Sequence, residues 1–201
     1  MPGPCDRTNM TSDRLLPWET RLISIATGLG EDYLKTVVLH FSLPATHEEA
    51  GGSVAFHAIT IALRRDFALT LGTDIWFPTS IDTSRLSHFL WLVHECAHVR
   101  QYAEAGKGRF LRTYLAEAIG TGSYVNIVAE RKARLTADAM GTLLQRHGDL
   151  LRRIQACADV SEDLARDASD YQSEYVSILR SLAASGTYGD DLEVWAESPQ
   201  A

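Results

Sequence analysis

From Phe89 to Gln101 the chain reads FLWLVHECAHVRQ, so five apolar residues run directly into His94-Glu95-Cys96-Ala97-His98. A stretch that is apolar on every side predicts a buried helix. The helical pattern extends from Arg85 to Ala105, with Asp82, Thr83 and Ser84 as cap candidates and Gly106-Lys107-Gly108 as the stop. Two imidazoles and a carboxylate inside such a helix are costly unless something pairs with them. Residues four apart on a helix differ by about 40° in azimuth and about 6 Å in rise. His94 and His98 can therefore both reach one zinc ion at about 2.0–2.1 Å. Glu95, beside the pair, can take a proton from water activated by that ion. H-E-x-x-H has only three fixed letters and recurs by chance, so the buried setting supplies much of its weight here.

A zinc site of this type needs a third protein ligand and leaves one position for water. Glu130 is the first candidate. It is expected mid-helix, with Ile127, Ala133, Ala137, Gly141 and Leu144 near its own face, small enough for a close approach to the metal helix. Glu117 is the rival, on a short helix Arg109–Ile119 whose apolar stripe, Leu111, Leu115 and Ala118, runs beside it. Asp138 and His147 remain as further alternatives.

The rest of the chain predicts α+β architecture, mostly α: a small N-terminal strand and hairpin part, then a helical bundle carrying the motif. Pro17 opens a helix with Trp18, Leu22, Ile25 and Leu29 at helical spacing, ended by Gly28 and Gly30. Residues 36–41 read as a strand. The run 54–65 suits a strand or a helix, with helix preferred. Phe67–Leu71 and Ile75–Phe77 form a hairpin around Gly72-Thr73-Asp74. Further helices are expected from Ser123, as cap, to about His147, over 149–157, and over 162–184. The expected organisation is a leader and helix over 1–35, a core over 36–148 and a helical extension over 149–201, folded as one domain.

Composition narrows the function. Among 201 residues, 45% are hydrophobic and 22% charged, which excludes disorder across the whole chain. No apolar run approaches the roughly 20 residues of a membrane span. A net charge of −7 argues against a dedicated nucleic-acid binder. The N-terminal sequence lacks a basic-then-apolar layout, which predicts a cytoplasmic protein or one exported without a cleaved leader. Cys5, Cys96 and Cys157 are too few and too scattered for a disulfide scaffold.

Several other residues have two readings. Cys96 lies about 200° round the helix from His94, so it should be a packing thiol turned from the metal. Cys5 is a free cysteine or an inhibitory fourth thiolate. Gln101 supports a ligand or a neighbouring strand. Tyr102 and Tyr124 are core residues or donors to an oxyanion. Asp138 is an exposed carboxylate or orients a ligand histidine. His40, His47, His57, His88 and His147 have no partner at ligand spacing.

Around these residues the sequence resembles the eCIS core domain family of extracellular contractile injection systems. The resemblance spans roughly residues 36–140. Val37-Val38-Leu39-His40 is similar to the family's V-x-V-H strand, and ALTLGTDIWF, Ala68 to Phe77, to its A-x-T-x-G-x-x-I-x-F hairpin. LVHECAHVRQ, Leu92 to Gln101, is similar to its L-x-H-E-x-x-H-V-x-Q helix. Glu130-Arg131-Lys132-Ala133 resembles the E-x-x-A stretch of related zincin-like proteins, which implies Glu130 as third ligand. Cys96 stands where the family has Leu or Met, and Arg100 where it has Val or Trp. The resemblance implies a zincin-like, gluzincin-like fold and a zinc metallopeptidase: Zn²⁺ on His94, His98 and Glu130, Glu95 as catalytic base, and a peptide or protein as substrate. The alternatives are a zinc-stabilised binding or cargo module of an injection or toxin system with little turnover, and a hydrolase of non-peptide amides. The oligomeric state is left open.

Overall fold

The computed structural model describes residues 12–123, 126–148, 163–189 and 192. Its elements run β1 Ser12–Arg14, α1 Pro17–Thr27, α2 Glu31–Leu34, β2 Val38–His40, α3 Ser53–Leu63, β3 Leu69–Leu71, β4 Asp74–Trp76, α4 Leu86–Ala105, α5 Lys107–Thr121, α6 Val128–Arg146 and α7 Asp163–Ala184. The fold is α+β and mostly helical, as expected. No helix among the described residues is long and apolar enough to cross a membrane.

Four short strands form one sheet in the order β1-β2-β4-β3. β1 pairs antiparallel with β2, β2 parallel with β4, and β4 antiparallel with β3 across the two-residue Gly72-Thr73 turn. Gly72 has φ 75°, a left-handed conformation that favours glycine there. Leu39 and Ile75, paired across β2 and β4, are fully buried on the face that joins the main core. The alternating side chains point the other way, and Trp76 packs there with Ala50 and Ile59 under α3.

The main core draws on α1, α4, α6 and α7 together. Trp18 of α1 meets Phe89 of α4 with ring centroids 5.2 Å apart. Tyr175, Ile178 and Leu179 of α7 join Leu135, Met140 and Leu143 of α6 in the same cluster. Residues before 36 and after 148 thus share one core with the middle of the chain. At Gly141 the helices α4 and α6 come close enough that an added Cβ would lie 3.0 Å from Leu90 Cδ1.

Some boundaries differ from expectation. Ser12 begins a strand that the expected leader and helix over 1–35 did not include; Arg14 fastens it by donating to the carbonyl of Thr36 at 2.6 Å. Gly30 precedes the short α2 instead of ending α1, which Gly28 closes with φ 68°. α4 starts after Arg85, and none of the three cap candidates caps it. Thr83 instead donates to buried Glu19 at 2.5 Å, and Asp82 accepts from the Ser84 hydroxyl at 2.5 Å. Gly106 alone separates α4 from α5, which then runs on through Gly120 to Thr121. α6 begins at Val128, after Ile127, so Ser123 is not its cap and Glu130 lies in the first turn rather than mid-helix. The expected helix over 149–157, with Cys5, Tyr124 and Cys157, lies outside the described residues.

Candidate metal centre

α4 is buried because its neighbours close on it from several sides: α1, α6, α5 and β3 all pack against it. Its buried residues include Glu95 and His98, while His94 keeps 17% of its side chain exposed. α6 crosses beside this segment and presents Glu130, which is 2% exposed. A carboxylate in a helix's first turn is favoured by the helix dipole. Even so, burying a charge costs several kcal/mol unless it is paired.

Ligand atoms of His94, His98 and Glu130 all lie within 4.8 Å of one another; among the described residues this is the group that could hold a metal ion. His94 Nε2 is 3.3 Å from Glu130 Oε2, and His98 Nε2 is 3.4 Å from Glu130 Oε1. Two donors on a tetrahedral ion at about 2.05 Å from each are about 3.35 Å apart, by the geometry of the tetrahedron. Charge-assisted hydrogen bonds are shorter, about 2.7–2.9 Å. Glu130 Oε2 is buried and makes no aligned hydrogen bond. The spacing and the orphaned oxygen both fit a shared cation better than a hydrogen-bonded cluster.

The surroundings hold the donors in place. His98 Nδ1 is 2.8 Å from Gln101 Oε1, and the Gln101 amide donates to the carbonyl of Ala129 at 2.9 Å. Gln101 therefore links a histidine of α4 to the backbone one residue before Glu130; its partner is a helix, not a strand. The Tyr114 hydroxyl of α5 donates to Glu130 Oε1 at 2.7 Å. Thr70 of β3 donates to Glu95 Oε2 at 2.7 Å. Its hydroxyl fixes one oxygen of that carboxylate and leaves the other without such a bond to Thr70.

Electrostatics follow from this crowding. Burial opposes charge on His98, but the adjoining Glu130, with Glu95 and Gln101, raises its pKa to about 9. Burial likewise opposes charge on Glu130, yet the rings of His94 and His98 and the Tyr114 hydroxyl hold its carboxyl far below the ordinary range. Without an ion the site is thus a protonated imidazole facing a carboxylate. Burial also pushes the Cys96 thiol well up, with Glu19 and Glu95 adding to the effect, and that residue is a fully buried packing thiol.

His94, Glu95 and Glu130 open onto a cleft of about 420 Å³. Leu90 and Trp91 of α4, Arg134 and Asp138 of α6, and the segment around Phe67 form its walls.

The remaining candidates are outside this three-residue group, although Asp138 lines the same cleft. Glu117 Oε2 accepts from the Val128 amide at 2.8 Å, so this carboxylate serves the start of α6. Asp138 accepts from the Tyr188 hydroxyl at 2.5 Å rather than orienting a histidine. His147 pairs with Glu174 at 2.7 Å. Tyr102 is buried against Phe110, centroids 4.3 Å apart, and does not line the cleft. His40 bonds Asp74 and stacks on Trp76; His88 accepts from the Asp82 amide; His57 lies at its own helix's Ser53 carbonyl; His47 meets the Ser53 hydroxyl. Sequence reasoning missed Tyr114 and the role of Thr70. Thr70 stood in the hairpin pattern, but only the packing of β3 on α4 shows what its hydroxyl does. Compared with models of known families, with curated proteins and with solved structures, the chain gives no match.

Proposed function

We propose that the chain is a zinc-dependent metallopeptidase, with His94, His98 and Glu130 holding Zn²⁺ and Glu95 as the catalytic base. The observation that carries this reading is the buried Glu130 carboxylate with its orphaned oxygen, set at tetrahedral spacing from two imidazoles. Two nitrogens and one oxygen from protein, with a fourth position facing a cleft, suit zinc in a hydrolytic site. A bound ion would supply a Lewis acid that polarises a carbonyl and makes water a nucleophile near neutral pH.

The chain's own residues carry the rest. Glu95 accepts the proton of the attacking water and hands it to the departing amine nitrogen. Thr70 fixes the orientation of that carboxylate. Gln101 keeps Nδ1 of His98 engaged, which turns Nε2 toward Glu130. Leu90 and Trp91 give one side of the cleft an apolar wall. The sequence resemblance to a zincin-like family supports the same reading.

The test is a peptide-library digest by the zinc-loaded protein and its Glu95→Gln variant, with metal content measured on both. We expect about one zinc per chain in each and cleavage by the unchanged protein alone. Full activity in the variant would remove Glu95 from the mechanism. Bound zinc with no cleavage of any peptide would favour the alternative of a zinc-stabilised binding module.

A further inference from the structure

The helix α3 differs from every other long helix among the described residues. Its eleven residues, SVAFHAITIAL, contain no Asp, Glu, Lys or Arg. One side meets the protein: Ile59 is fully buried under the helix with Trp76. The opposite side carries Val54, Ala58 and Ile61, which fall within about 60° of one another at 100° per residue. All three are exposed, Val54 by 86% and Ile61 by 57%. Phe67, 56% exposed, extends the apolar area at the C-terminal end, where its amide bonds the carbonyl of Ala62.

The ends of this helix carry opposite charge. Glu48 and Glu49 precede it and Arg64 and Arg65 follow it, all four exposed. Glu49 also accepts from the Ala45 amide at 2.6 Å, a contact that leaves its charge in place. An apolar stripe with acid at one end and base at the other is complementary to itself when turned end for end. A two-fold interface has that property by necessity, since each residue meets in the partner what the partner meets in it.

We propose that the chain forms a two-fold dimer by antiparallel packing of α3 on α3. Ala58 sits at the crossing, where its small side chain lets the helices approach. Val54 meets Ile61 of the partner subunit at each side. Glu48 and Glu49 face Arg64 and Arg65 of the partner subunit at both ends. An anionic bilayer fits less well, because Glu48, Glu49 and the net charge of −7 would oppose it. One helical stripe is smaller than the roughly 800 Å² per partner of a standard interface, so the dimer is weak and dilution-sensitive.

The test is sedimentation of the full chain over a dilution series. We expect a reversible monomer–dimer equilibrium that Ile61→Asp abolishes while metal content and circular dichroism stay unchanged. The pair Arg64→Glu with Arg65→Glu should be monomeric, as should the pair Glu48→Lys with Glu49→Lys. Mixing these two monomeric proteins should restore a dimer, because every end contact then joins opposite charges. A chain monomeric at every concentration would overturn the proposal, as would dimers that survive Ile61→Asp or a mixture that stays monomeric. Vesicles of phosphatidylcholine with phosphatidylglycerol form the last arm. Capture of a monomeric chain through Ile61 would replace the dimer with a lipid surface.

Discussion

α5 and α6 both reach the same carboxylate, and they do so in opposite ways. α6 brings Glu130 on a helix whose inner face, from Leu135 to Leu144, is built into the main core. α5 has no buried residue, leaves Leu115 and Ile119 exposed, and touches the centre through the Tyr114 hydroxyl. Its second link to α6 is also polar, the Glu117 carboxylate on the Val128 amide. Apolar packing fixes where Glu130 stands. The polar tethers of α5 fix how its carboxylate is turned. Glutamates of the same chemistry thus do different work because one lies inside a packed interface and the other on an exposed helix.

The sharpest way to break this contrast is to remove the ligand from the packed side. Glu130→Ala should lower zinc affinity by more than about 100-fold, beyond what outer partners contribute, as titration against a competing chelator would show. Retention of tight zinc would mean that the packed helix does not supply the ligand. Gln101→Ala should cost about 10- to 100-fold, because His98 loses its orienting partner and the carbonyl of Ala129 loses its donor. Tyr114→Phe should cost about 10-fold, at the lower end of that range, with little change in thermal stability. If Tyr114→Phe matched Glu130→Ala, α5 would have to be counted as part of the packed frame. Glu117→Ala should be the smallest change, about 1 kcal/mol in denaturant unfolding, by analogy with the loss of a helix cap.

Acidity offers another handle on the same centre. In the metal-free protein the pKa of His98 lies above its ordinary 6.5, at about 9. Its stabilising contribution is complete below pH 6.5 and is lost as pH rises through about 9. Glu130, held below its ordinary 4.5, contributes above that pH and loses its contribution as pH falls. The metal-free chain should therefore lose stability between pH 6.5 and 9, while zinc binds more tightly as the competing proton leaves. The melting-temperature gap between loaded and metal-free protein should widen across that interval, and zinc uptake at pH 7.5 should release about one proton from His98. A gap that narrows with rising pH would contradict this assignment.

Much of the centre was legible because helical spacing is a local property. His94, Glu95 and His98 needed only a helix to share a side, and Phe89 to Val93 announced a buried one. Glu130 could be singled out because Ala133, Ala137 and Gly141 marked a face fit for close approach, and at Gly141 a Cβ would come within 3.0 Å of Leu90 Cδ1. The start of its helix was misjudged by four residues, since Ser123 has the chemistry of a cap while Ile127 holds the position. Tyr114 could not be found from sequence. Its contact crosses from α5 to α6 through a side chain, and neither spacing nor composition encodes such a crossing. The strand Ser12–Arg14 was missed for a related reason: its pairing depends on β2, which lies more than twenty residues on.

The bridge through Gln101 has one more consequence. A side-chain amide of one helix grips the main chain of its neighbour a single step ahead of Glu130, so on the proposed reading the three donor groups should be held at their spacing before an ion arrives. Loading then resembles a guest entering a furnished room rather than a scaffold assembling around it. Ion capture should proceed at a rate set by water exchange and proton loss, with no slow refolding phase.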